Sequence, residues 1–332
     1  MSFAVEFAVR LMASAPRIPQ DRKTVHAEWL LAQRAPGGGF RGRSDLPDLY
    51  YTAFGVRCAL LLDCLDAALL SEMVPFLRRQ SHNPLAAADL ASYLTIAFTA
   101  ELFAGVCIDD RSPEERKAWV AGLLMPYQRA DGGWAKSPNS ALSSTYHTFL
   151  ALGCCELADI TIPDPHRVTA MVRQRWAADG GFVDLPFLRE SGTNPTAAAL
   201  AVLHDLDALD ELTSRDACGF LRRMQRSDGG FAASARAPCS DLLSTFTAIV
   251  SLDLLDSLDG PTADAAKRYV DGLEHPQGGF RGIQLDDQRD VEYTFYGLAA
   301  TAMLANRPSA SHHHNNTGQP RIEQDFGNAS LG

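Results

Sequence analysis

At 332 residues the chain has room for one large domain or two ordinary ones, and its 46 % of hydrophobic residues is an ordinary globular share. A net charge of −10, with no basic stripe, argues against a nucleic-acid surface and against adhesion to anionic membranes. Seven cysteines, an odd number with no CxxC pair, read as reduced thiols of a cytoplasmic protein rather than a disulfide framework.

The opening segment, residues 1–15, is apolar but carries Glu6 and Arg10 at helical spacing, so it reads as an amphipathic first helix and not as a signal peptide. No run of 18 uninterrupted apolar residues follows, and no membrane span is expected. A Gly-Gly-aromatic signature then recurs, as Gly38-Gly39-Phe40, Gly132-Gly133-Trp134, Gly180-Gly181-Phe182, Gly229-Gly230-Phe231 and Gly278-Gly279-Phe280. From the second copy on the steps are 48, 49 and 49 residues, and the first step of 94 spans two periods with one degenerate copy between. Repeats of this length are single supersecondary units that bury their apolar faces only against neighbours.

The fifth unit shows the order within a repeat. An amphipathic stretch over 216–226 runs into Ser227-Asp228-Gly229-Gly230-Phe231, where Gly229 or Gly230 is the expected helix stop. After a loop with Pro238, Asp241 opens a second run through Ala248, Ile249, Leu252 and Leu255 that is apolar on most faces and belongs inside. Thr52, Thr145, Thr196, Thr245 and Thr294 share one register in this second run, with Thr95 as the counterpart in the degenerate unit. No sustained period-two alternation occurs, so strands are not expected and the fold class is all-α. The first and last units resemble each other, Gly39-Phe40-Arg41-Gly42 with Asp48 to Thr52 against Gly279-Phe280-Arg281-Gly282 with Asp290 to Thr294. They are expected to be neighbours, which closes six helical hairpins over residues 1–305 into a ring. Residues 306–332, rich in Ser, His, Asn and Gly, are expected to form a disordered tail.

Gln128-Arg129-Ala130-Asp131-Gly132-Gly133-Trp134 and Gln225-Arg226-Ser227-Asp228-Gly229-Gly230-Phe231 resemble the repeat of the prenyltransferase and squalene-cyclase superfamily. Over about residues 20–305 the chain most resembles the β subunits of protein prenyltransferases. The resemblance implies an α/α toroid of six inner and six outer helices around an aromatic, apolar funnel that holds an isoprenoid chain, its diphosphate near the rim. It also implies a helical α-type partner subunit, with a homodimer as the alternative. The family's zinc is held by an Asp and a Cys two residues later at the start of the fifth inner helix, and by a His in the sixth. Asp241 matches the Asp, but Leu243 and Tyr293 stand where the Cys and His belong, so zinc is not expected. Gly192 stands where a diphosphate-binding His would be, and Arg236 lies near the place of a family Arg or Lys. The cyclase acid motif Asp-x-Asp-Asp is absent, which removes the usual proton donor for alkene protonation.

Several residues keep two readings each. Asp48, Asp241 and Asp290 are helix caps, or they form a catalytic acidic rim with Asp45, Asp286, Asp287 and Glu292 that holds Mg²⁺ and through it a diphosphate. Arg41, Arg43, Arg281 and Arg289, with Arg236, pair with nearby carboxylates or grip the diphosphate. Tyr50, Tyr51, Tyr146, Tyr293 and Tyr296, with Phe54, Phe149, Phe246 and Phe295, pack the core or line the funnel. Cys239 is an inert loop thiol or a displaced metal ligand, and His147 a core histidine. The leading expectation is an isoprenoid-binding, prenyltransferase-like protein without the zinc site. The alternatives are a non-catalytic lipid- or partner-binding scaffold, or a terpene-cyclase-like enzyme.

Overall fold

The apolar second run of each repeat cannot face water, and in the computed structural model, which describes residues 2–162 and 164–305, these runs form the centre of the molecule. In chain order the described helices are α1 (Phe3–Ser14), α2 (Gln20–Leu31), α3 (Leu49–Leu61), α4 (Ala67–Ser81), α5 (Ala87–Ala104), α6 (Pro113–Leu124), α7 (Thr145–Leu157), α8 (Pro165–Arg173), α9 (Thr193–Asp205), α10 (Glu211–Met224), α11 (Leu242–Leu254), α12 (Gly260–Leu273) and α13 (Val291–Leu304). Each odd-numbered helix from α3 to α11 packs on the next, and α13 packs on α3, so six inner helices close into a ring. The even-numbered helices form the outer layer. The fold is the α/α toroid.

Closure uses the same contact as every other joint. At each turn the first glycine of the pair has positive φ and abuts the outer helix of the following repeat; a Cβ on Gly229 would stand 2.2 Å from the Ala265 carbonyl oxygen. The second glycine lies under a large side chain of that helix: Phe76, Met171, Phe220 and Tyr269 in turn. At the last joint, Gly278 and Gly279 meet Trp29 of α2 in the same way. A clasp reinforces this joint. The Gly279 N–H donates to Nδ1 of the buried His26 at 3.0 Å, which leaves the ring proton on Nε2, and Nε2 donates to Glu274 at 2.9 Å.

The register threonines hold the turns to the inner helices. Thr245 Oγ1 accepts from the Phe231 N–H at 2.9 Å and donates to the Asp241 carbonyl at 2.7 Å. Thr52, Thr196 and Thr294 do likewise. In the third repeat this role belongs to Thr148 and not to Thr145, because α7 is capped by Ser144, four residues earlier. In the second repeat the position four beyond the N-cap Ala86 is Leu90; Thr95 lies five residues deeper, on the lumen side. Two further expectations change. The fifth outer helix stops at Met224, and Gly229 serves the turn beyond it, not the helix cap. Two short antiparallel pairs, Phe231–Ala232 with Ser240–Asp241 and Phe280–Arg281 with Arg289–Asp290, brace the loops ahead of α11 and α13.

Because the inner helices are parallel, their N-termini share one rim and their C-termini the other. Helix α1 lies across the C-terminal end. Its Phe3 N–H donates to Asp205 at 2.6 Å, Ser2 bonds Glu156, and Arg10 pairs with Asp253 at 3.2 Å. Its Phe3 and Phe7 rings reach Phe149 and Phe246, with centroids 6.4 and 5.9 Å apart. Helix α5 is the one described helix with the length and hydropathy of a membrane span; here it is an inner helix packed between α3 and α7. The expected tail, 306–332, lies outside the described residues.

Candidate functional site

Helical geometry decides which residues reach the lumen. Counting from the N-caps Asp48, Ala86, Ser144, Gly192, Asp241 and Asp290, the second position gives Tyr50, Ala88, Tyr146, Asn194, Leu243 and Glu292. Two turns deeper on the same face, the ninth gives Arg57, Thr95, Gly153, Ala201, Val250 and Ala299. Contacts confirm this face: Tyr50 donates to Glu292 at 2.7 Å, Arg57 to Thr95 at 3.4 Å, and Thr247 to Asn194 at 2.7 Å.

Between these two levels an aromatic cluster fills the α11–α13–α3 side. Phe246 stacks on Tyr296 at 5.0 Å, Phe54 meets Tyr296 at 5.3 Å and Phe295 at 5.6 Å, and Phe7 closes the cluster from below. The opposite side is lined by small residues. A Cβ on Gly153 would meet nothing within 4 Å, and Ala91 and Ala197 keep accessible surface. Tyr146 at the rim is 40 % exposed, and along α5 the same face carries Phe98 and Leu102, 48 % and 62 % exposed. The accessible positions of the inner wall therefore lie along α5 and α7, away from the aromatic cluster. Two cavities lie elsewhere: one of about 20 Å³ under α1 beside Val250 and Met303, and one of about 380 Å³ outside the ring, by Arg78, Tyr93 and Asp109.

The expected site residues fall into separate places. Asp48, Asp241 and Asp290 cap α3, α11 and α13, accepting from the N–H of Tyr51, Ser244 and Tyr293 at 2.7, 2.7 and 2.9 Å. Burial raises the pKa of Asp48 and Asp241, while Asp290, 2 % exposed, pairs with Arg43 at 2.9 Å. Among the described residues no three His, Cys, Asp or Glu side chains converge to hold a metal ion. Arg41 donates to the Ala32 carbonyl, and Arg281 to the Gly272 carbonyl and Asp287, so both brace their own loops. Arg236, pairing with Glu190 at 3.5 Å, is 88 % exposed in its side chain. Tyr51 and Tyr293 stack over Gly42 and Gly282, with Arg43 above the Tyr293 ring at 5.6 Å. Of the expected set, Tyr50, Tyr146, Phe246, Glu292 and Tyr296 face the lumen, as does Leu243 at the place of the missing zinc thiolate.

Two lumen residues carry the unusual electrostatics. Burial raises the pKa of Glu292, and its carboxyl accepts from both Tyr50 and Tyr296, the latter at 3.2 Å. Burial lowers the pKa of Arg57, whose guanidinium stands over the rings of Phe54 and Phe295 at 5.5 and 5.6 Å. Glu292 was legible as part of an acidic rim. Arg57 is the one charged residue among the six ninth positions, a signal that shows only once the inner-helix register is known. At the mouth His147, whose Nδ1 lies 3.0 Å from Ser144 Oγ, is held neutral by burial, which lowers its pKa.

A closed double ring of helices about an aromatic lumen defines a class, and the chain's sequence places it there. The family model of the prenyltransferase alpha-alpha toroid domain matches residues 2–93 and 96–316, and the chain belongs to that family. No curated protein matches it. Among solved structures, a variant of the type II terpene cyclase MstE from Scytonema with its product merosterolic acid A is similar at 14 % identity and TM-score 0.60, covering 89 % of this chain and 97 % of that one. Another variant of MstE, with its substrate geranylgeranyl dihydroxybenzoate, gives 14 % identity and TM-score 0.58 over the same shares. Candida albicans protein geranylgeranyltransferase-I complexed with GGPP is similar at 17 % identity and TM-score 0.60, covering 77 % and 83 %. At these identities the likeness is one of fold.

Proposed function

We propose that this chain binds an isoprenoid chain in the lumen of its toroid, along the strip between α5 and α7. The observation that carries the reading is the asymmetry of the inner wall, with packed aromatics on one side and small residues that keep accessible surface on the other. From Ala88 to Leu102 the strip follows fourteen residue steps of helix, about 21 Å at the α-helical rise, which suits a long prenyl tail. Apolar walls with few polar groups favour such a ligand by area burial. Two relatives in fold, solved with GGPP and with geranylgeranyl dihydroxybenzoate, make the geranylgeranyl chain the natural probe. The reading uses the rim aspartates as helix caps and requires no partner subunit, so the isolated chain is the species to assay. Titration with geranylgeraniol and with geranylgeranyl diphosphate tests it: saturable binding of at least one supports the reading, and binding of neither removes it.

Turnover is a second reading, favoured by one observation. Glu292 is a lumen-facing carboxyl whose raised pKa makes it a better proton acceptor than an ordinary glutamate and a poorer acid for alkene protonation. Transfer to a hydroxyl acceptor at the mouth, with Glu292 taking its proton, fits this environment better than acid-initiated cyclisation. Release of diphosphate from geranylgeranyl diphosphate in the wild type, lost in Glu292→Gln while binding persists, is the expected result. Equal release by the variant would remove Glu292 from the chemistry.

A further inference from the structure

Arg57 sits nine residues beyond the N-cap of α3, about 13 Å below the rim at the α-helical rise. It is half-buried and keeps part of its surface accessible, as a side chain lining an internal space does. Among the described residues it forms no ion pair. Its one hydrogen bond goes to Thr95 Oγ1 at the long distance of 3.4 Å, which leaves most of the five guanidinium donors without an acceptor. Arginine remains charged in proteins, and a buried charge without a partner is costly. The Phe54 and Phe295 faces offset part of that cost. The polar groups that share its field across the lumen are the hydroxyls of Tyr296, Tyr50 and Tyr146; the first two donate to Glu292, and none of the three carries a compensating charge. Glu292 does not supply the missing charge: its carboxyl accepts from Tyr50 and Tyr296, and among the described residues it makes no ion pair with Arg57.

We propose that Arg57 is the centre of a carboxylate-binding site inside the lumen, and that the ligand is an isoprenoid chain bearing a carboxylate. The inference rests on the lumen reading above and adds the head group to it. A guanidinium fork matches a carboxylate in shape, and one unpaired cation among neutral phenols is balanced by one negative charge. A diphosphate would bring several negative charges to a level with a single cation. A fixed cation at this depth also opposes carbocation chemistry beside it, because like charges repel at low dielectric.

The test compares geranylgeranoic acid with geranylgeraniol, the same chain with and without the charge, on the full-length protein at pH 8. The wild type should bind the acid at least about tenfold more tightly, a difference of about 1.4 kcal/mol. Arg57→Met should abolish that preference and leave the affinity for the alcohol unchanged or higher, whereas Arg57→Lys should keep part of it. If Arg57→Met does not fold, the wild-type preference and its partial loss in Arg57→Lys decide. Equal binding of acid and alcohol by the wild type, or a preference that survives Arg57→Met, overturns the carboxylate site while leaving the lumen reading intact. Binding of neither compound overturns both.

Discussion

Gly153 offers the sharpest perturbation of the lumen, because stability and binding are expected to move in opposite directions. It lies inside α7, where glycine costs about 0.5–1 kcal/mol relative to a good helix former, and a Cβ there meets nothing within 4 Å. Gly153→Leu should therefore stabilise the protein by about 0.5–1 kcal/mol, a rise of roughly 1–3 °C in melting temperature for a chain of this size. The same side chain fills the strip that the isoprenoid is proposed to occupy. Forcing the ligand to share that space costs about 1–3 kcal/mol, or roughly a five- to 150-fold loss of affinity. Thermal denaturation followed by circular dichroism reads the first quantity, and displacement of a fluorescent geranylgeranyl analogue reads the second. A variant that melts several degrees lower would show Gly153 packed against something the reasoning omits. A variant that binds as tightly as the wild type would show the ligand bound elsewhere.

Three other perturbations follow from the same contacts. Thr245→Val keeps the shape but strands the buried Phe231 N–H, and should lower stability by about 1–3 kcal/mol in urea titration; a loss within error would mean the register threonines do not hold the turns. His26→Ala removes the acceptor for the Gly279 N–H and the donor to Glu274, and should cost about 1–3 kcal/mol and speed hydrogen exchange at the joint between α2 and the last loop; unchanged exchange there would refute the clasp. Glu292→Gln tests pH linkage. Burial raises the folded-state pKa of Glu292 above its unfolded value, so its contribution is intact below the unfolded value and is lost as pH rises through the folded one. The variant should gain stability on the wild type between pH 4 and pH 8, whereas parallel urea midpoints across that range would contradict the assignment.

The fold was legible because glycine pairs at constant spacing mark a position that admits little else, where the turn needs positive φ and the next outer helix leaves no room for a Cβ. Ring closure was legible for a related reason: the first and last repeats carry the same Gly-Phe-Arg-Gly and Asp-to-Thr motifs, and in the structure they meet through Arg43 with Asp290 and Tyr50 with Glu292. The register failed where the local cap chemistry differs, at Ser144 and Ala86, because a threonine alone does not show which turn of a helix it occupies. Asp63, Asp159, Asp207 and Asp256, all with positive φ after inner helices, recur at the repeat period as further turn signals. The candidate site was less legible. The rim aspartates and loop arginines stand out in sequence but are occupied by caps and loop carbonyls. Arg57 emerges only once the lumen-facing register is known, and the blocking role of α1 depends on contacts more than a hundred residues apart in the chain.

The most direct test of the central claim is a crystal structure of the protein grown with geranylgeraniol. The account predicts the chain extended in the lumen beside Thr95, Phe149 and Gly153, with the cluster of Phe54, Phe246, Phe295 and Tyr296 as its opposite wall. An empty lumen in crystals that hold the compound elsewhere, for example in the outer cavity by Tyr93, would contradict it.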